Sequence, residues 1–218
     1  MMAEKRISRI IQLLKKETRT LPIPIVERVA KERDPYRILV STMLSLRTKD
    51  ATTEKASLRL FRIAPTITKL AHLPVSAIAK LIYPVGFYKT KARHLREMAR
   101  IVIKKNQGKI PGSEEALLAL PGVGRKTANL VLSLGFAQDA ICVDTHVHRI
   151  SNRLGLIRTK SPHESEIALQ KILPRRYWQF WNMWLVMWGQ KICVPISPKC
   201  SMCPLSEFCS KRNVTNRR

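Results

Sequence analysis

Apolar residues recur along this chain at the spacing of one face of an α-helix. The clearest early case runs from Glu4 to Glu17, where one face is apolar and the opposite face carries Lys and Arg. A longer stretch from about Lys89 to Lys105 repeats the pattern. Sustained alternation of apolar and polar residues, the mark of a half-buried strand, is absent from the sequence. The pattern therefore predicts an all-α protein.

Polar residues and prolines indicate where several of these helices begin. Asp34 before Pro35 and Ser161 before Pro162 are typical helix starts, because the polar side chain caps the first turn and proline fits there. Near the C-terminus, an aromatic-rich helix carries four tryptophans, Trp178, Trp181, Trp184 and Trp188. Their spacing and apolar neighbours favour packing in the core over an exposed stacking platform.

The composition adds a strong charge imbalance to this picture. Forty Lys and Arg against fifteen Asp and Glu give a formal net charge of +25 and a pI near 10.6. We interpret this as binding to nucleic acid rather than as a merely basic surface. With 218 residues, 45% of them hydrophobic, the chain can form one large or two modest domains. No apolar run is long enough to span a membrane and the first helix is not a signal peptide, so we expect a cytoplasmic protein.

A short glycine turn is the first candidate for a binding element. Two glycines flank Val123 just before an apolar helical run. Such a turn can point successive backbone N–H groups at a phosphate without reading base sequence. An ordinary connection between helices is the alternative, and the turn alone does not separate the two. The residues that we assign to DNA contact here are Leu120, Pro121, Gly122, Val123, Gly124 and Arg125.

A lysine and an aspartate near this turn are candidates for chemistry. Lys126 falls in the first turn of the next helix, where the helix dipole and Arg125 both disfavour the ammonium form and favour a nucleophilic amine. A solvated phosphate contact is the alternative role for this lysine. Asp144, 18 residues later, can be a simple helix N-cap, or it can stabilise a sugar cation or activate the amine.

Four of the five cysteines are crowded near the C-terminus with the spacing C-x6-C-x2-C-x5-C. They are Cys193, Cys200, Cys203 and Cys209. Four thiolates at short spacing can hold one [4Fe–4S] cluster or one structural zinc ion. Zinc sites usually contain two close pairs, whereas only Cys200 and Cys203 form one here, so the spacing favours the cluster. Cys142 stands apart in an apolar run and is expected to be a small buried side chain.

Together, three motifs resemble the endonuclease III family of helix-hairpin-helix DNA glycosylases. They are Leu-Pro-Gly-Val-Gly-Arg-Lys-Thr-Ala at 120–128, Val-Asp-Thr-His at 143–146 and the cysteine spacing. The resemblance implies two all-α domains, a six-helix domain at 27–137 and a second formed by 1–26 with 138–218, with DNA across the cleft between them. It also implies a [4Fe–4S] cluster on the four cysteines.

The resemblance implies an activity as well. The partner would be duplex DNA with an oxidised or ring-saturated pyrimidine, such as thymine glycol, or with an abasic site, bound by a monomer. Once the damaged base leaves the stack, Lys126 would attack the sugar carbon C1′ and form a Schiff base, while Asp144 assists. β-Elimination would then nick the strand.

Further residues are matched to the family with less support. Arg47 and Phe87 occupy the positions whose side chains fill the space left by a flipped base, although many members carry glutamine in place of Arg47. A phosphate contact for Arg47 and a core position for Phe87 are the alternatives. Lys199, between the first two cysteines, and Lys191 just before them are expected to contact DNA.

Two other kinds of protein would share some of these motifs. A mismatch glycosylase for adenine or thymine has the hairpin, the aspartate and the cluster but usually lacks the lysine, and the adenine enzymes carry a further C-terminal domain. A non-catalytic module could use the hairpin and cluster only to bind damaged DNA. The joint presence of Lys126 and Asp144 favours the enzyme with lyase activity over both.

Overall fold

A computed structural model describes residues 2–218, with side chains described from residue 4. Twelve α-helices and no strand occur in this range, so the all-α prediction is confirmed. None of these helices is both long and apolar enough to cross a membrane. The helices are α1 (Met2–Glu17), α2 (Ile25–Val29), α3 (Pro35–Ser45), α4 (Asp50–Ile63), α5 (Ile67–His72), α6 (Val75–Ile82), α7 (Tyr88–Asn106), α8 (Glu114–Leu118), α9 (Arg125–Phe136), α10 (Thr145–Leu154), α11 (Pro162–Ile172) and α12 (Trp178–Lys191).

The helix starts follow the expected polar caps. The Asp34 side chain accepts hydrogen bonds from the N–H groups of Tyr36 and Arg37 at the start of α3. The Ser161 hydroxyl accepts the N–H of Glu164 in α11. These bonds satisfy N–H groups that have no partner inside the helix. Local side-chain chemistry therefore fixes where these two helices begin.

The described chain divides into two compact units, and residues 25–140 form one of them. It contains eight α-helices, α2 to α9, of which six are at least six residues long. Helix α3 is its central element, because it packs against α2, α4, α7 and α9. Eight of its eleven residues are buried, among them Ile38, Leu39, Val40 and Leu44 with no exposed surface. Helices α2, α4, α7 and α9 therefore pack around a helix that is buried along most of its length.

Residues 1–24 and 141–218 form the other unit. Its core joins the apolar face of α1 to α10 and α12, with Ile10, Leu14 and Trp181 fully buried. The other three tryptophans of α12 are at most 8% exposed, which confirms that this aromatic helix serves the core. Cys142 is buried as expected, at 2% exposure.

Candidate catalytic and nucleic-acid-binding site

The glycine turn connects α8 to α9 through a tight backbone path. The N–H of Leu120 donates to the carbonyl of Leu117 at 3.1 Å, and the N–H of Val123 donates to the carbonyl of Leu120 at 3.1 Å. The side chains of Leu120 and Val123 are only 4% and 7% exposed. Their expected contact with DNA is therefore restricted to the main chain. Gly122, Gly124 and Arg125 are exposed and Pro121 is partly exposed.

The two glycines of the turn serve different purposes. Gly122 has φ +75, and a Cβ added there would lie 2.6 Å from Nδ1 of His94, so the fold itself requires glycine. Gly124 is the N-cap of α9 with φ −102 and ψ 174, and a Cβ added there would meet nothing within 4 Å. The face of Gly124 is thus open space at the positive end of a twelve-residue helix.

Lys126 is the second residue of α9, directly behind this open face, and its side chain is partly buried. The neighbouring Arg125 forms an ion pair with Glu114 of α8, with 2.7 Å between Nη1 and Oε1. From the sequence alone, Arg125 is an unbalanced positive charge beside Lys126. The ion pair with Glu114 offsets part of that charge.

Asp144 is the N-cap of α10, as the simpler sequence interpretation held. Its Oδ1 accepts the N–H groups of His146 and Val147, both at 2.9 Å, and the residue is partly buried. The cap holds the carboxylate in a fixed orientation. Lys126 lies in the unit of residues 25–140, whereas Asp144 lies in the other unit.

Arg47 and Phe87, which are 40 positions apart in the chain, come together in the structure. The Arg47 guanidinium carbon lies 5.6 Å from the centroid of the Phe87 ring, a cation–π distance. Both residues have left-handed backbones, with φ +52 and φ +57. Phe87 is 62% exposed, so the alternative of a core position is wrong. Both residues are candidates from the sequence, which contains no sign that they form a pair.

The four C-terminal cysteines line one pocket with Arg153 and Trp188, and none of them forms a disulfide. Burial raises the pKa of the Cys203 thiol to about 11, and it also raises the pKa of Cys209. Hydrogen-bond donors reach two of the sulfurs. The Arg153 guanidinium donates to Cys193 Sγ at 3.5 Å, and the backbone N–H of Lys211 donates to Cys209 Sγ at 3.4 Å.

This donor set fits an iron–sulfur cluster. In the described residues, no three His, Cys, Asp or Glu side chains converge as the ligands of a single metal ion do. The four thiols are instead distributed around the pocket. A four-iron cluster is held in this way by cysteine thiolates, and nearby N–H donors tune it.

The two lysines assigned to this region differ in position. Lys191 is exposed and ends α12. Lys199 is partly buried and lines the cysteine pocket, and its backbone N–H donates to the carbonyl of Ile192 at 3.0 Å. The segment between the first two cysteines also exposes Ile196 at 84%.

Comparison with known proteins identifies the family. Residues 40–175 match the model of the HhH-GPD superfamily of base excision DNA repair proteins, which is more than half of the chain. The chain belongs to this superfamily. Residues 193–209 also match the iron–sulfur binding domain of endonuclease III. This second match confirms the iron–sulfur interpretation of the cysteines over zinc and supports the expected [4Fe–4S] cofactor.

Individual relatives place this superfamily member within the endonuclease III family. Endonuclease III of Thermotoga maritima is 49% identical over 179 residues, which cover 82% of this chain and 84% of the relative. A solved structure of a trapped endonuclease III–DNA covalent intermediate is 33% identical, with a TM-score of 0.86 and coverage of 95% of this chain and 96% of the other. A thermostable thymine-DNA glycosylase is 29% identical, with a TM-score of 0.82 over 95% of this chain and 96% of the other. The family resemblance drawn from the three motifs is confirmed.

Proposed function

We propose that this base excision repair glycosylase and lyase removes oxidised or ring-saturated pyrimidines, of the thymine glycol type, from duplex DNA. The observation that carries the proposal is the position of Lys126 directly behind the open face of Gly124 at the start of α9. A relative with the same fold has been trapped as a covalent intermediate on DNA. An amine at this position is a nucleophile of the kind that such an adduct requires.

The turn binds the DNA backbone and Lys126 carries out the chemistry. Backbone N–H groups at the start of α9 contact a phosphate, while Gly124 lets that phosphate approach closely. The Lys126 amine attacks C1′ of the flipped nucleotide, and the base departs with the bonding electron pair. The sugar ring then opens as the C1′–O4′ bond breaks and O4′ takes up a proton, which leaves a Schiff base between Nζ and C1′. β-Elimination then breaks the bond to the 3′ phosphate.

Asp144 acts in this proposal as a carboxylate held in place by its own helix. The two N–H bonds to Oδ1 fix the side chain. A fixed negative charge stabilises the positive charge that develops on the sugar as the base departs. The same carboxylate accepts a proton during formation of the Schiff base.

Arg47 and Phe87 fill the space that the flipped base vacates. An exposed aromatic ring stacks on neighbouring bases, and a guanidinium donates hydrogen bonds to the edge of the opposite base. Cys193, Cys200, Cys203 and Cys209 would hold the [4Fe–4S] cluster, which would cross-link the C-terminal segment through its thiolate ligands. Lys191, just before that segment, and Lys199, within it, contact phosphates. The enzyme acts as a monomer.

An excision assay on a panel of lesion-bearing duplexes tests the proposed substrate. We expect release of thymine glycol and strand nicking, because a saturated pyrimidine stacks poorly and costs less to flip. The likeness to a thymine-DNA glycosylase makes removal of thymine from G·T pairs the second candidate. Release of thymine from G·T pairs without release of thymine glycol would replace the proposal. Tight binding to every duplex with no product would reduce the protein to a binding module.

A further inference from the structure

Lys91 is a buried lysine that the proposed chemistry does not use. It lies in the first turn of α7 and is 8% exposed. Its Nζ donates to the carbonyl of Leu44 at 2.9 Å, to the carbonyl of Leu46 at 2.5 Å and to the hydroxyl of Thr48 at 3.4 Å. All three acceptors belong to the end of α3 and the segment that follows it. The lysine therefore links the start of one helix to the end of another.

The electrostatics of this link favour a charged lysine at neutral pH. Burial lowers the pKa of Lys91 to about 8, which still leaves the ammonium form dominant at pH 7. The three acceptors match the three N–H groups of an ammonium. Two of them are carbonyls at the C-terminal end of α3, which have no partner inside the helix and lie at the negative end of its dipole. A buried charge satisfied in this way holds its partners in one geometry.

Thr48 and Gly86 connect the same two segments a second time. The Thr48 hydroxyl accepts the N–H of Gly86 at 3.1 Å and contacts the carbonyl of Leu46 at 3.2 Å. A Cβ added at Gly86 would lie 2.6 Å from the carbonyl oxygen of Arg47, so only glycine permits this approach. The backbones of residues 44–48 and 86–91 are thus held against each other around Lys91.

The contacts around Lys91 hold the backbones of Arg47 and Phe87, whose side chains are exposed. Arg47 lies between the Lys91 acceptors Leu46 and Thr48, and Phe87 follows Gly86. Both have left-handed backbones, which cost free energy in residues other than glycine and persist only where the surroundings enforce them. The exposed ring and the guanidinium are therefore presented by two strained positions with a buried lysine behind them.

We propose that Lys91 is a positioning residue that locks the segments 44–48 and 86–91 together, so that Arg47 and Phe87 are fixed before DNA binds. This inference rests on the proposed function, in which that pair fills the space of a flipped base. Pre-organisation matters because a loose pair loses conformational freedom when it enters the stack. Lys91 thus acts on base flipping and not on attack at C1′.

Two substrates separate the flipping step from the chemical step. In a duplex in which the lesion is base-paired, Arg47 and Phe87 must enter the base stack before excision. A single-stranded oligonucleotide with a preformed abasic site offers Lys126 its sugar without a base to displace or an opposite base to hold. Loss of a positioning residue for flipping changes the first reaction and spares the second.

The experiment compares Lys91→Met with Lys89→Met in the full-length protein loaded with its cluster. Lys89 is exposed on the same helix, so its substitution removes the same charge from the surface rather than from the buried link. We expect Lys91→Met to slow single-turnover excision of a paired lesion by about 10- to 100-fold, as a displacement of a few tenths to one ångström does. Trapping on the single-stranded abasic oligonucleotide stays at the wild-type level, and Lys89→Met matches the wild type in both reactions.

A fluorescent aminopurine beside the lesion reports the flipping step directly. Its fluorescence rises when a base leaves the stack, and we expect this rise to be slower in Lys91→Met in proportion to the excision rate. If Lys91→Met does not fold, Thr48→Val provides the second test, because it removes the hydroxyl that bonds Lys91 and Gly86 while keeping the side-chain shape. The expected effect of Thr48→Val is smaller and has the same direction on the same substrate.

The outcomes separate failure of this inference from failure of the proposed function. If the Lys91→Met variant excises the paired lesion at the same rate as the Lys89→Met variant, the positioning role of Lys91 is overturned. Equal losses in excision and in single-strand trapping also overturn it, since they assign Lys91 a general role in folding. A wild-type protein that neither excises the lesion nor forms the adduct refutes the proposed function, and the inference falls with it.

Discussion

Asp144 has an observed role as a helix cap and a proposed role in catalysis, and a pair of substitutions can separate the two. Its Oδ1 accepts two N–H groups at 2.9 Å in the first turn of α10, and its negative charge is the part assigned to chemistry. Asp144→Asn keeps an acceptor for the cap and loses only the charge at the helix N-terminus, which costs about 0.3–1 kcal/mol. Asp144→Ala also loses the cap, at a further cost of about 1 kcal/mol.

The catalytic consequence is expected to be the same in both variants. Loss of a group that stabilises charge and transfers protons slows the reaction by about 100-fold or more. The catalytic rate is measured as single-turnover excision of thymine glycol, and the stability is measured by urea unfolding of the same preparations. We expect equally slow excision in the two variants, with the larger loss of stability in Asp144→Ala. Excision by Asp144→Asn at the wild-type rate would refute the catalytic role and leave Asp144 as a cap only.

Two other predictions concern the glycine turn and a buried acid. Gly124→Ala should fold normally, because the added Cβ meets only open space, but the same Cβ should hinder a phosphate and weaken DNA binding in a titration. Equal DNA affinity of wild type and Gly124→Ala would contradict a close phosphate approach. Gly122→Ala should lower the free energy of unfolding by about 1 kcal/mol or more. Burial raises the pKa of Glu27 to about 7, so this group stabilises the fold at low pH and its contribution is lost as pH rises through 7. Glu27→Gln should therefore be more stable than wild type at about pH 8, by up to about 3 kcal/mol, and an unchanged pH dependence of urea unfolding would contradict it.

The helices could be predicted from the sequence because their signals are local. The first apolar face, expected from Glu4 to Glu17, ends at Glu17 in the structure, and α7 covers Tyr88–Asn106 where Lys89 to Lys105 was expected. Caps and periodic apolar residues act within a few positions of the helices that they define. The turn before Lys126 and the cysteine spacing could be found for the same reason.

Contacts between distant segments could not be predicted in this way. Neither Arg47 nor Phe87 is a residue type that favours a left-handed backbone, so the sequence gives no sign of their strained pairing. The ion pair of Arg125 with Glu114 likewise depends on how α8 and α9 pack. Both features arise from tertiary structure alone.

The position of Lys91 on an apolar helix face can be read from the sequence. It precedes Leu95, Met98 and Val102 at the spacing of one helix face, and all three are fully buried. A lysine on an apolar face is either a stem that reaches solvent or a buried charge with acceptors. The sequence does not reveal where those acceptors lie, because they belong to another helix.

Borohydride trapping on duplex DNA with an abasic site tests the central claim most directly, which is that Lys126 is the nucleophile. Reduction of a Schiff base leaves a permanent bond between the lysine Nζ and the sugar carbon. We expect a covalent adduct with the wild-type protein and its absence in Lys126→Ala. The matched control Lys104→Ala, which replaces an exposed lysine in the last turn of α7, should still form the adduct. Mass spectrometry of the digested adduct should place the sugar on Lys126. An adduct that persists in Lys126→Ala, or none with the wild-type protein, would contradict the account.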